Sequence, residues 1–364
     1  MENLVSQKLF KNIYLGKKVL ITGHSGFKGT WLSLWLQQMG AIVSGIALEP
    51  DTNPNHRDLL NLELDSNNID IRDLEKLIYK INIIQPDIIF HLAAQPLVRY
   101  SYNNPLETWT TNVIGTANLL DAARSISCLK AIVVITTDKC YENKEWTWGY
   151  RESDRLGGHD PYSASKAATE LVVSSYRKSF FNRPNSPLIA TARAGNVIGG
   201  GDWSVDRLIP DVYRSIIYNK ILEIRSPLAT RPWQHVLESL SGYLLLGQKL
   251  LEGKLDFADS WNFGPSNEGN KTVQEVLNEI SHTLNTLEWI SVNKENFHEA
   301  NFLQLDSTKA LKKLEWKPVW DFKQGIEETA KWYKHFIETK EIISYIQLNK
   351  FVQNAFSNKL IWTQ

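Results

Sequence analysis

Cysteine is almost missing from this chain. Its two copies, Cys128 and Cys140, are too few for a disulfide framework and fit a reducing compartment. No Cys-x-x-Cys occurs and the eight histidines are scattered, so metal-ligand spacing is absent as well. An excess of either charge is also lacking. Forty basic residues balance forty acidic ones, and no basic stripe offers itself to nucleic acid. Long apolar runs do not occur either: Ile132-Val133-Val134-Ile135 falls far short of the roughly 20 residues of a membrane span. Met1 to Lys18 is too polar for a signal peptide. These absences lead us to expect a cytoplasmic protein with no metal, no nucleic-acid partner and no membrane association. Tryptophan, by contrast, is plentiful at 13 copies. Each either packs the core or, as Trp203 and Trp233 could, lines a cleft.

The 364 residues suffice for one large or two unequal domains. In the first half, short apolar runs alternate with longer amphipathic ones. The pattern predicts strands at Lys18–Ile21, Ile42–Leu48, Ile69–Ile71, Asp87–Leu92, Ala131–Thr136 and Leu188–Arg193. It predicts helices at Phe27–Met39, Arg72–Ile81, Pro105–Ser125 and Tyr162–Phe180. Strands separated by helices imply an α/β fold with a parallel sheet covered on both faces. After Gly199-Gly200-Gly201 the rhythm changes. Helices are expected at Ile209–Asn219, Glu238–Leu251 and Thr272–Leu284, with short strands at Leu222–Arg225 and Trp289–Val292. The expected division is 1–195, a smaller mixed lobe over 196–340 whose chain crosses back, and a weakly periodic tail over 341–364.

Thr22-Gly23-His24-Ser25-Gly26-Phe27-Lys28-Gly29 lies between the first strand and the first helix. Gly23 permits a tight turn, Gly26 lets backbone approach a pyrophosphate, and Gly29 lets the helix pack on the sheet. The helix N-terminus then offers free N–H groups to phosphate. This is a dinucleotide site, with NAD preferred to NADP. Glu49, past the second strand, either bonds the ribose or is a solvated carboxylate, and Arg57 would instead suit a 2′-phosphate. Asp70 and Ile71 either hold adenine or, for Asp70, cap the next helix. Gln95 and Arg99 follow a strand end, where open α/β sheets bind ligands. Asn112 is a poor helix former in mid-helix, placed to hold a water or a bent backbone.

Tyr162-Ser163-Ala164-Ser165-Lys166 puts a phenol and an ammonium one turn apart on one helix face. The cation favours the phenolate, so Tyr162 can act as a base below its free pKa of about 10. Upstream, Thr137-Asp138-Lys139 adds a hydroxyl, a carboxyl and an amine at a strand end. Together these groups can oxidise an alcohol and then expel water.

The order of the glycine turn, His91-Leu92-Ala93-Ala94-Gln95, Asn112, the triplet and Tyr-x-x-x-Lys resembles the extended short-chain dehydrogenase/reductase family over roughly Gly16 to Trp332. Within it the chain is similar to the nucleotide-sugar 4,6-dehydratases. Longer stretches carry that closer likeness, among them Thr137–Trp146, Arg193–Trp203 and Arg231–Val236. The resemblance implies a Rossmann-type doubly wound sheet with a smaller C-terminal substrate lobe. It implies NAD held by Gly23, Ser25, Gly26, Phe27, Gly29, Asp70, Ile71, Ala93, Ala94, Asn112, Tyr162 and Lys166. It implies a CDP-hexose substrate contacted by Gln95, Arg99, Asn196, Arg207, Arg231 and His298. The reaction it implies oxidises C4, removes water across C5–C6 and returns hydride to C6. Tyr162 is then the C4 base, supported by Lys166, and Thr137 positions the C4 oxygen. Asp138 is the acid on the C6 hydroxyl. Lys139 stands where related enzymes carry glutamate, either as C5 base or as a charged stabiliser of the enolate. His24 and Lys28 also depart from the small and apolar residues usual in the turn. A 4-epimerase of the same fold needs Thr, Tyr and Lys but not the acid–base pair. A homodimer through helices 105–125 and 162–180 and a place in deoxysugar supply for a bacterial surface polysaccharide such as O-antigen complete what is implied.

Overall fold

A computed structural model describes residues 8–284, 287–292 and 302–364. In chain order the first part runs β1 (Lys18–Thr22), α1 (Phe27–Gln38), β2 (Ile42–Ala47), α2 (His56–Leu60), β3 (Asp65–Asn68), α3 (Leu74–Ile84) and β4 (Ile88–His91). It continues through α4 (Val98–Asn103), α5 (Pro105–Trp109), α6 (Gly115–Ala123), β5 (Ala131–Ile135), α7 (Pro161–Ser179) and β6 (Leu188–Ala194). Then come β7 (Asn196–Ile198), α8 (Leu208–Ile217), β8 (Leu222–Ile224), β9 (Thr230–His235), α9 (Val236–Leu251) and β10 (Ser260–Phe263). The chain ends with β11 (Asn270–Thr272), α10 (Val273–Thr283), β12 (Trp289–Ser291), α11 (Phe322–Thr339) and α12 (Ser344–Ser357).

Among the described residues, seven parallel strands form one sheet in the order β10-β6-β5-β4-β1-β2-β3. The central strands β4 and β5 are buried along their whole length, as continuous apolar runs require. On one face, the core joins β1, β4 and β5 to α1 and α9. On the other, α3, α6 and α7 supply Leu77, Leu119 and Val173 to a second core. The order reverses between β1 and β4, and the carboxyl ends of the strands open there into a crevice. Both α9 and β10, from beyond residue 195, pack on or pair within this sheet. Beyond residue 195 the described residues also form a three-stranded sheet, β11-β9-β7, and a pair, β12-β8.

Several expectations are corrected. The third strand is Asp65–Asn68, not Ile69–Ile71, because the register against β2 pairs Ser44 with Asp65 and Ala47 with Asn68. Asp70 does not cap α3; Asp73 does, accepting from Lys76 N–H. The helix expected over 105–125 is interrupted by a π turn at Thr110–Ile114. Helix α1 is buried nearly all round rather than on one face, because the tail covers its outer side. There Phe351 and Trp362 pack on Trp35, and Trp362 stacks on Phe10 with centroids 5.2 Å apart.

Candidate active site

The crevice is a cleft of about 860 Å³. Its cofactor-side wall begins at the glycine turn. Gly23 has φ +77°, and a Cβ there would lie 2.7 Å from Ala93 N. A Cβ on Gly29 would lie 2.0 Å from Gly23 O, so both positions need the missing side chain. Gly26 caps α1 without any side-chain bond, leaving first-turn N–H groups open to the cleft. These cradling glycines and uncapped donors fit a dinucleotide pyrophosphate. Ser25, Phe27, Asp70, Ile71, Ala93 and Ala94 line the same wall.

The two unusual turn residues diverge. His24 points behind the turn, its ring against Gly45, where a Cβ would come within 2.3 Å, and its Nε2 lies 2.7 Å from Ser66 Oγ. Burial pushes it down to about 4, so it is a neutral packing group. Lys28 instead faces the cleft, its Nζ 3.4 Å from Tyr243 OH. Burial, with Arg207 and Lys166 nearby, pushes it down to about 7. Glu49 is held by Arg57 at 2.8 Å, and Asp70 takes Arg72 Nε on both oxygens, at 3.0 and 2.9 Å.

At the cleft floor, β5 ends and the triplet turns across the start of α7. Asp160 caps α7 and Pro161 opens it, so Tyr162 and Lys166 face the cleft together. Lys166 Nζ donates to Ile135 O at 3.2 Å. Burial pushes Lys166 down to about 8 and Tyr162 up to about 12. For the phenol, desolvation outweighs the lowering by Thr137. Asp138 is 1% exposed. Its Oδ1 accepts from Thr137 Oγ1 at 3.0 Å, while Oδ2 has no hydrogen-bond partner among the described residues. Burial raises its pKa against the pull of Lys139, Thr137, Arg231 and Lys28.

The cleft gathers most of the expected substrate residues, with several already engaged. Gln95 spends its amide on Thr108 Oγ1 and Leu97 N. Arg99 pairs with Asp206 across the cleft at 3.2 Å, and Arg207 with buried Asp202 at 3.0 Å. Asn196 opens β7 on the cleft wall, and buried Arg231 donates to Thr230 O. Asn112 is not on the wall. Its amide bridges Gln95 N and O and Ser165 Oγ, because the π turn aims it between the β4 loop and α7. His298 lies outside the described residues. Trp203 and Trp233 are buried yet touch the cleft, so they pack and line at once. A group that motif reading passed over is Glu170, four residues beyond Lys166 on the same helix face; that spacing was the available signal.

Residues 20–329 match the family described as GDP-mannose 4,6 dehydratase. The chain is 48% identical to a CDP-glucose 4,6-dehydratase of Salmonella typhimurium, covering 92% of this chain and 95% of that protein. It is 26% identical to a dTDP-glucose 4,6-dehydratase of Haemophilus influenzae, over 86% and 97% of the two chains. Among solved structures, dTDP-glucose 4,6-dehydratase of Bacillus anthracis in complex with NAD superposes with TM-score 0.72 at 23% identity, over 87% and 96%. A UDP-glucose 4-epimerase of Thermotoga maritima gives 0.75 at 20%, over 88% and 99%. Dehydratases and epimerases thus share the fold, and sequence separates them. The chain belongs to the nucleotide-sugar dehydratase branch of the extended short-chain dehydrogenase/reductase family.

Proposed function

We propose that this protein converts CDP-glucose to CDP-4-keto-6-deoxyglucose with NAD as its cofactor. The observation that carries the reading is Asp138: a buried carboxyl with one oxygen unbonded among the described residues, on the same cleft as Tyr162 and Lys166. An epimerase has no use for such a proton donor. The base assignment is supported by the 48% identity to the Salmonella CDP-glucose enzyme.

The glycine turn with Ser25 and Phe27, the adenine-side pair Asp70 and Ile71, and Ala93, Ala94, Tyr162 and Lys166 would hold NAD, which supplies the hydride acceptor and donor. Thr137 orients the C4 oxygen and Tyr162 takes its proton as hydride leaves C4. The resulting ketone acidifies C5–H. Lys139 removes that proton while Asp138 gives its own to the C6 oxygen, which departs as water. Hydride returns to C6 and a proton to C5, so no external reductant is consumed. Arg207 and Arg231, with Asn196, suit the diphosphate of the substrate. Asn112 holds the cofactor side indirectly, through the loop after β4.

The first test incubates the protein with CDP-glucose, with and without added NAD, beside UDP-, dTDP- and GDP-glucose. Loss of one water from the CDP sugar without net NADH is expected. Epimerised sugar with no water lost would overturn the reading. Lys139→Met is expected to retain C4 oxidation and slow elimination; undiminished dehydration would remove Lys139 as base. We further propose a cytoplasmic homodimer that supplies deoxysugar for O-antigen. Leu106, Ile114 and Leu171 are 79%, 52% and 62% exposed on the paired helical faces of α5–α6 and α7. Leu171→Glu should yield a monomer by light scattering.

A further inference from the structure

Beneath the cleft floor, several polar side chains converge on one buried carboxylate. Glu170 is 3% exposed and Arg193 2%. Glu170 Oε1 accepts from Thr136 Oγ1 at 2.5 Å and Arg193 Nε at 2.9 Å. Its Oε2 accepts from Thr191 Oγ1 at 2.7 Å, Arg193 Nη2 at 2.9 Å and Ser260 Oγ at 3.3 Å. Arg193 Nη1 donates onward to Tyr141 OH at 2.7 Å. One carboxylate therefore ties α7 to the end of β5, to β6 and to β10.

The register of this contact is systematic. Ile135 O holds Lys166 Nζ, the Thr136 hydroxyl holds Glu170, and Thr137 stands near enough to Tyr162 to favour its phenolate. Three consecutive residues at the end of β5 thus meet positions 162, 166 and 170, which share one face of α7. Packing alone does not call for charge here, since a buried ion pair is commonly no more stabilising than apolar side chains of the same volume. What an apolar pair cannot supply is a fixed negative charge one turn beyond Lys166.

We propose that Glu170 is a positioning residue: its carboxylate, fixed by Arg193, Thr136 and Thr191, holds Lys166 as the ammonium and so sets the pH at which Tyr162 can take a proton. This rests on the reading of Tyr162 and Lys166 as the oxidising pair. The other groups bearing on Lys166 do not replace Glu170. Burial pushes His91, on β4, down to about 3 and raises the Cys140 thiol, so both are neutral. Lys28, on α1, repels Lys166. Burial alone would raise Glu170, but Arg193 and the hydroxyls hold it below its ordinary value. Burial lowers Lys166 to about 8, and Glu170 opposes that fall.

The decisive variant is Glu170→Gln with Arg193→Met, which removes both charges and leaves neither buried alone. Lys166 is titrated by NMR of lysine-labelled protein, its signal identified with Lys166→Met. The midpoint should fall by about one pH unit, a tenfold change in the ratio of ammonium to amine. No substrate is used, so this outcome is separate from the failure of the functional reading. On CDP-glucose, the acid limb of C4 oxidation should move to higher pH. Thr136→Val keeps both charges and nearly the same shape. It should move the midpoint in the same direction by less, with Thr136→Ser restoring it, and this answers even if the double variant does not fold. An unmoved Lys166 midpoint in a folded variant overturns the proposal.

Discussion

At the scale of single residues, the two oxygens of Asp138 have different surroundings. Oδ1 is bonded by Thr137, whereas Oδ2 has no partner among the described residues and lies beside Gly195, where a Cβ would approach it to 3.2 Å and Pro232 Cγ to 2.5 Å. The glycine thus leaves that buried oxygen uncrowded. Burial raises Asp138, so its proton persists to higher pH than an ordinary aspartic acid would keep it. Its protonated form is lost as pH rises, which places Asp138 on the basic limb of the dehydration profile. Asp138→Asn should lower dehydration by roughly 10²–10⁴, the range for a general acid. It should leave a single-turnover rise of the reduced-nicotinamide absorbance. Loss of that rise together with dehydration would show that Asp138 serves C4 oxidation instead.

At the scale of elements, the π turn at Thr110–Ile114 shows how one local break serves the site. Within it the Asn112 carbonyl accepts from Thr116 Oγ1 at 2.7 Å and from Thr169 Oγ1 on α7 at 2.9 Å, and the Asn112 amide points at Gln95 and Ser165. Asn112→Ala leaves buried backbone and hydroxyl groups unpartnered. It should cost about 1–3 kcal/mol in urea unfolding and weaken NAD binding through the loop carrying Ala93 and Ala94. The sheet, its flanking helices and the Tyr162–Lys166 face were legible in the sequence because period and spacing are local properties. Asn112 was legible as an anomaly, but a π turn has no spacing of its own. Strand β3 was not legible: Asp65-Ser66-Asn67-Asn68 is polar, and only pairing with β2 makes it a strand. Nor was the tail, whose apolar face has meaning only against α1. Trp362 is 1% exposed between Phe10, Trp35 and Phe351. Trp362→Ala should cost about 3–5 kcal/mol, read from the urea midpoint. A loss below about 1 kcal/mol would mean that the tail is not part of the folded core.

At the scale of the whole molecule, four buried histidines make stability depend on pH in a calculable direction. His56 touches Ser344 Oγ and lies between Trp31 and Trp332; His91 sits between Thr22 and Thr116 hydroxyls; His235 caps α9. Burial pushes these three down to about 3 and His24 to about 4. Below pH 6.5 the unfolded chain binds protons that the folded protein refuses, so stability is present above that pH and lost as pH falls. From pH 7.5 to 5.5 the four together lose about 5 kcal/mol by linkage. Glu238 acts in the opposite sense. Burial raises it to about 8 while it clamps Val319 and Trp320 N–H, so over the same interval the folded state gains about 2.5 kcal/mol. Lys28 and Lys166, lowered by burial, add a smaller loss on the side of the histidines. The histidines win, and the net loss is about 3 kcal/mol, a large part of a typical folding free energy. Urea unfolding at pH 7.5, 6.5 and 5.5 should show a falling midpoint, steeper in Glu238→Gln, where the opposing group is removed. A midpoint that is flat or rises toward pH 5.5 would mean that these rings accept protons in the folded protein.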